Sequence, residues 1–287
     1  MFRTLLFIPG NNKRFIEKAK LLNADIICFD LEDSVPLNEK QTARDLVSEA
    51  LDKNVDFGNR NVYVRINSYE SGIAIQDLDA IVSDEIDGVV IPKVNNQSEI
   101  NHLTPRLNEL ERKKAMSKKI GIMASIESAQ GLVNSYSIAT ADSRVKMLVF
   151  GVFDFLNDMG LDYVQDGIEY SFARAKIPID ARAAGIGAID AIWQKVDDAE
   201  GLVQDASTAK RLGYRGKCVI HPKQVEPVAN VFTPSNNEIN WARKVIQALE
   251  ETMEKGRGIG AVTVDGRMVD AAHYRQAKSV LDSLNTK

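Results

Sequence analysis

Eight short apolar runs, separated by helix-like stretches, constrain the fold of this chain more than any other feature. They are RTLLFIPG from Arg3, DIICFDLED from Asp25, NVYVRIN from Asn61, DGVVIPKV from Asp87, KIGIMASIES from Lys119, VKMLVFGVFD from Val145, AIDAIW from Ala188 and KCVIHP from Lys217. Strands that alternate with helices build a parallel sheet, because parallel neighbours need a crossover between them. Eight such units imply a closed (β/α)8 TIM barrel, whose active site lies at the C-terminal ends of the strands. At or just past those ends stand Asp30, Glu32, Asp33, Arg65, Lys93, Glu127, Asp154 and His221. An acid-rich mouth with a few cations points to an enzyme.

A chain of 287 residues accommodates one barrel of about 250 residues and a small appendage. The expected division is a catalytic barrel over 1–255 and a C-terminal extension over 256–287. The formal net charge is -4, spread along the chain, with no basic tract or RNA-binding motif, so no nucleic acid is expected as a partner. No apolar run approaches the roughly 20 residues that span a bilayer, so no membrane is expected either. The opening MFRTLLFIPGNNKR reads as the first strand, not as a signal peptide, since no small-residue cleavage site follows it. Cys28 and Cys218 fall inside strand runs and read as reduced core thiols of a cytoplasmic protein. No spacing of cysteine or histidine suggests zinc.

Between the strands the apolar periodicity predicts helices over 12–22, 37–51, 75–82, 98–116, 131–141, 166–184, 199–212 and 235–254. Ser98 is the expected N-cap of the fourth and Gly213 the C-cap of the seventh. Pro178 is expected to break the sixth. The glycines at 256, 258 and 260 follow a helix instead of a strand, so they read as a linker and not as a dinucleotide fingerprint. Asp265-Gly266 reads as a tight hairpin turn, followed by a last helix over 273–284.

Glu127 and Asp154 follow neighbouring strands, and two such carboxylates can share one hard cation. Magnesium takes one or two protein carboxylates and leaves its other positions to water and substrate. Each could instead cap a helix or pair with a cation. Arg65 could bind a carboxylate, stabilise an enolate oxygen, or pair with Asp30 or Glu32. Lys93 has the same alternatives plus a surface role, and a Schiff base only if its pKa were low. Asp30, Glu32 and Asp33 cannot all stand unpaired and close. They read as supports that orient metal-bound water or the arginine, paired with Lys40, Arg44 or Arg65. His221 reads as a structural hydrogen-bonding group.

Taken in order, LLFIPGNNKRFIEKA, DIICFDLEDSVPLNEKQTAR, VYVRIN, VVIPKV, ASIESAQGL, LVFGVFDF, GKCVIHPKQV and DGRMVD resemble the motifs of the citrate lyase beta-subunit-like CoA-ester lyases. That family includes malyl-CoA, citramalyl-CoA and citryl-CoA lyases and lies within the phosphoenolpyruvate/pyruvate barrel superfamily. The resemblance implies Mg2+, with Mn2+ as a substitute, held by Glu127 and Asp154. It implies that Arg65 contacts the substrate's carbonyl oxygens, and that Glu127 and Asp154 reach the substrate through the metal. It implies that Asp270, in DGRMVD, is a catalytic acid–base supplied from the C-terminal segment, often to a neighbouring subunit. Asp33 and Lys40 match the family's acidic loop and its supporting lysine, with Glu32 beside them. Arg14 and Lys18 stand where family members contact CoA phosphates.

The implied reaction cleaves or forms a 3-hydroxy-3-carboxyacyl-CoA, giving an acyl-CoA and a small 2-oxo acid through an enolate. The implied assembly is a homotrimer or homohexamer. Three features depart from common family patterns: Phe153 before Asp154, His221 in IHP, and Ala271-Ala272-His273 after Asp270. Competing readings are a citrate lyase beta subunit acting on an acyl-carrier-protein thioester, an aldolase of free hydroxy acids, and a silent binding barrel.

Overall fold

The computed structural model describes residues 2–52, 57–58, 60–164, 167–254 and 260–285. Eight parallel strands close a barrel in sequence order: β1 (Thr4–Pro9), β2 (Ile26–Asp30), β3 (Asn61–Arg65), β4 (Gly88–Ile91), β5 (Gly121–Ile126), β6 (Val145–Phe150), β7 (Gly187–Asp190) and β8 (Gly216–Val219). β8 closes on β1 with Thr4 opposite Lys217. The (β/α)8 barrel expected from the eight runs is the observed fold.

Side chains alternate across each strand with a period of two. Leu5, Ile26, Cys28, Tyr63, Val90, Met123, Met147, Val149, Ile189 and Cys218 form one buried cluster, the filling of the barrel. The intervening positions, such as Leu6, Ile27, Phe29, Val64, Ile122 and Leu148, join a second core shared with the helices. The inward series therefore runs 26-28-30 on β2, 61-63-65 on β3 and 123-125-127 on and just past β5. That phase brings Asp30, Arg65 and Glu127 to the top of the interior. Both cysteines are free and buried, and burial raises the Cys218 thiol to about 12.

The outer ring comprises α1 (Lys13–Ala19), α2 (Lys40–Asp52), α3 (Ala74–Ile81), α4 (Gln97–Lys113), α5 (Ala129–Val133), α6 (Ser135–Ala139), α7 (Val152–Met159), α8 (Ser171–Ala183), α9 (Ala199–Leu212) and α10 (Pro222–Phe232). Gly213 caps α9 with φ 103°, as its position predicts. The cap of α4 is Asn96, whose side chain accepts from the Ser98 N–H, so Ser98 lies inside the helix. Two short helices, α7 and α10, arise where no helix is expected from the sequence.

Pro178 does not break α8, contrary to expectation. A helical proline leaves the carbonyl four residues earlier without its N–H partner. That carbonyl belongs to Arg174, and the Tyr214 hydroxyl donates to it at 2.9 Å. The residue just after α9 thus supplies the missing donor.

The chain separates into two compact units, Phe2–Phe232 and Thr233–Lys287. The second contains α11 (Asn236–Glu254), a hairpin of β9 (Val262–Val264) and β10 (Arg267–Val269), and α12 (Ala271–Asn285). Ser235 and Glu238 cap α11 reciprocally, backbone to side chain in both directions. Ala242, Val245 and Leu249 of α11 pack with Val264, Val269 and Ala277. Asp265 and Gly266 both take positive φ, 47° and 77°, the backbone of a tight two-residue hairpin turn. Residues 255–259, with the boundary read from sequence and the glycines at 256 and 258, lie outside the described residues.

Candidate active site

Register places the first pair. Asp30 ends β2 directly opposite Arg65 at the end of β3. Arg65 Nε donates to Asp30 Oδ1 at 2.7 Å and its Nη2 to Oδ2 at 2.6 Å, a bidentate fork. Asp30 is 1% exposed, and burial raises its pKa. The Arg65 charge and the hydrogen bonds it receives outweigh burial, so the net shift is downward. Its two oxygens also accept the Glu32 N–H at 2.9 Å and the Ser34 N–H at 3.2 Å. One carboxylate thus fixes both the arginine and the acidic loop. The Arg65 guanidinium also lies 4.7 Å over the Phe7 ring.

Lys40, at the start of α2, holds the same loop from outside. Its ammonium donates to the Leu31 and Glu32 carbonyls at 2.7 Å each. Glu32 is buried. One of its oxygens takes the Lys93 ammonium at 2.7 Å. The other, Oε2, is 3.1 Å from Arg65 Nη1 but off the hydrogen-bond direction, and it accepts no hydrogen bond. Burial pushes the Glu32 pKa up despite both cations.

Glu127 follows β5, 6% exposed. Gly151 follows β6 and donates its N–H to the Ile126 carbonyl. A β-carbon on Gly151 would stand 2.4 Å from Glu127 Cγ and 2.6 Å from Oε1, so a glycine is needed for the carboxylate to occupy this place. Asp154 rises from the first turn of α7, 41% exposed. Burial, joined by the charges of Glu32 and Asp154, pushes Glu127 up to about 8.

Lys93 connects these groups. Its ammonium reaches Glu32 at 2.7 Å, Asp33 at 3.0 Å and Asp154 at 3.7 Å. Burial lowers its pKa, but the hydrogen bond and charge of Glu32 reverse that and hold it protonated. With its ammonium paired to Glu32 and Asp33, Lys93 is turned into the cluster and lacks the free amine that a Schiff base needs. The sequence offers no sign of it, because IPKV reads alike whichever way the lysine turns.

The structure thus gathers Asp30, Glu32, Asp33, Arg65, Lys93, Glu127 and Asp154 at one end of the barrel. Arg14 and Lys18 are exposed on α1, one turn from each other. His221 accepts the Lys223 N–H at 3.1 Å, a local capping contact. Asp270 belongs to the other compact unit. There its Oδ1 accepts N–H groups of Ala272 at 2.9 Å and His273 at 3.3 Å, and lies 2.8 Å from His273 Nδ1. These contacts, the His273 side chain first, lower its pKa.

The cluster suits a hard divalent cation. Among the described residues, the cations paired with Asp30, Glu32, Asp33 and Asp154 are Arg65 and Lys93, while Lys40 holds the loop through its carbonyls, so the acids of the cluster outnumber its cations. Burial pushes Glu127 up to about 8 despite the charges of Arg65 and Lys93, and Glu32 Oε2 accepts no hydrogen bond. Among the described residues no three His, Cys, Asp or Glu side chains form a ready-made cage. Two carboxylates with open positions match magnesium, which retains water or substrate oxygens.

Comparison with known proteins shows the family. The profile of HpcH/HpaI aldolase/citrate lyase matches residues 3–222. The chain belongs to that family. It is 38% identical to the citrate lyase subunit beta of Leuconostoc mesenteroides subsp. cremoris, over 99% of this chain and 93% of the relative. It is 35% identical to a (3S)-malyl-CoA thioesterase of Cereibacter sphaeroides, over 98% and 93%. Among solved structures, CitE of Mycobacterium tuberculosis in complex with magnesium, acetoacetate and coenzyme A superposes with a TM-score of 0.79. It is 26% identical, covering 99% of this chain and 98% of that one. Family membership places this chain among the carbon–carbon lyases.

Proposed function

We propose that the protein is a Mg2+-dependent lyase that cleaves a 3-hydroxy-3-carboxyacyl-CoA into an acyl-CoA and a 2-oxo acid, or runs the same step as a condensation. The observation that carries this reading is the pair Glu127 and Asp154 beside a buried, bidentately held Arg65. Glu127 and Asp154 would hold the metal, with Mn2+ able to substitute. When bound, the ion supplies a Lewis acid that chelates and polarises the oxo-acid end of the substrate. As the hydroxyl gives up its proton to solvent and becomes a keto group, the carbon–carbon bond breaks and its electron pair moves onto the thioester carbonyl as an enolate. Arg65, pre-oriented by Asp30, stabilises that developing enolate oxygen without reorganising. Asp270 protonates the enolate carbon, or removes the proton from the acyl-CoA in condensation.

Arg14 and Lys18 would meet the CoA phosphates, since neither pairs with an acid among the described residues. The assembly we infer is a homotrimer or homohexamer in the cytoplasm, in which the C-terminal unit serves a neighbour's site. Support for self-association comes from α8, which exposes Phe172 and Ile179 at 73% and 65%. No described helix is long and apolar enough to cross a membrane.

Incubation with Mg2+ and separately with malyl-CoA, citramalyl-CoA and citryl-CoA tests the reaction. EDTA-sensitive release of a 2-oxo acid from one of them is expected. Likeness to citrate lyase beta subunits favours a second reading, in which an acyl carrier protein bears the thioester. Cleavage of citryl-carrier protein but of no CoA ester would select it. Likeness to the thioesterase raises hydrolysis instead, recognised by free malate and CoA without oxo acid.

A further inference from the structure

We propose that Lys93 is the resident cation of the acid cluster, and that a divalent metal enters by taking Asp154 from it. This rests on the metal-dependent reading above. Lys93 adopts φ 54°, in the left-handed region that side chains rarely occupy and glycine occupies freely. A strained lysine where glycine would be relaxed indicates that its side chain is needed there.

The strained backbone serves two contacts at once. It aims the Lys93 N–H at Glu127 Oε2, 3.2 Å away. It also lays the ammonium among three other acids. The contacts to Glu32 at 2.7 Å and Asp33 at 3.0 and 3.2 Å are hydrogen bonds. The contact to Asp154 is a looser ion pair at 3.7 Å. Lys93 therefore grips most firmly the two acids assigned to the loop, and most loosely a proposed metal ligand. A cation bound between Asp154 and Glu127 replaces only the loosest contact. The other contacts keep the acidic loop and Glu127 in register throughout. Lys93 acts through these groups and not on substrate, as a positioning residue.

The Lys93→Gly variant separates the two roles, because it keeps the amide and relieves the backbone while deleting the ammonium. Titration calorimetry of the purified full chain with Mg2+ alone is expected to show binding tightened about tenfold, since a competing positive charge is gone. Hydrogen exchange in EDTA is expected to quicken at the amides of residues 32–35, the loop that the ammonium holds. Lys93→Arg should restore slow exchange and bring Mg2+ affinity back to within about threefold of the unaltered protein. Unchanged or weaker Mg2+ binding by Lys93→Gly would overturn the displacement. Unchanged exchange in EDTA would overturn the resident-cation role. Failure of the unaltered protein to bind Mg2+ or Mn2+ would strike the metal reading itself, and the EDTA exchange measurement would still decide what Lys93 holds.

Discussion

Glu127 and Arg65 show how burial sets the chemistry of single residues at this mouth. Without metal, Glu127 holds its proton to about pH 8 when folded, against 4.5 for the unreacted side chain. As pH rises through that window, the unfolded chain gives up the proton first. The contribution of Glu127 to metal-free stability is therefore fully present below about 4.5, is lost as pH rises to about 8 and then levels. Glu127→Gln removes this term. In EDTA at pH 8 it should be more stable than the unaltered protein by on the order of a few kcal/mol, with little difference at pH 4.5. Parallel urea-denaturation curves at both pH values would contradict the assignment. Arg65→Ala strands the buried Asp30, so a loss of about 3–5 kcal/mol is expected, with turnover down about 10²–10³-fold. Arg65→Lys keeps the charge but not the fork. Its stability should recover further than its kcat, a split that unfolding and rate measurements together reveal.

Element boundaries at the mouth are set by packing that spans many residues. The β6–α7 turn needs Gly151 because Glu127 occupies the space of a side chain. Gly151→Ala should leave the barrel folded by circular dichroism yet weaken Mg2+ binding at least about tenfold, as the carboxylate moves from its place. Calorimetry with the same affinity as the unaltered protein would show that Glu127 has room to spare. Helix α8 gives a second case. Its continuity past Pro178 depends on Tyr214, 40 residues from the carbonyl it serves. Tyr214→Phe should cost about 1–3 kcal/mol by leaving that carbonyl unpaired, measurable as a lower denaturation midpoint. Strand ends were legible in the chain because a polar residue closing an apolar run, such as Asp30 or Arg65, stands out against its own alternation. The helix break at Pro178 was misread because local propensity says nothing of a donor arriving from another element.

At the scale of the whole molecule, the division into two compact units makes the assembly testable. If Asp270 serves a neighbouring subunit, two inactive variants should rescue each other. Arg65→Ala mixed in equal amount with Asp270→Asn, after reversible dissociation, should regain up to about a quarter of full activity, since random assembly leaves about a quarter of the sites intact. Asp270→Asn alone should retain Mg2+ binding while losing exchange of acetyl-CoA methyl protons. Mixed oligomers that stay inactive would place each Asp270 in its own chain's site or outside catalysis. Sedimentation with Phe172→Glu tests the α8 face separately, with loss of the larger species expected.

The sequence by itself determined the barrel and most of its mouth. Eight apolar runs can bury themselves with helices between them in very few ways, and a polar residue at a strand end has one side to face. Motif order extended this to the pair Glu127 and Asp154, to Arg65, and to the family. Only the tertiary structure decided how those charges share one another. It showed Asp30 as the hub of the arginine and the loop, Lys93 turned by its left-handed backbone into the cluster, and α11 packed with the C-terminal hairpin and helix. These depend on register, backbone handedness and long-range contact, which join residues far apart in the chain and leave no local pattern to read.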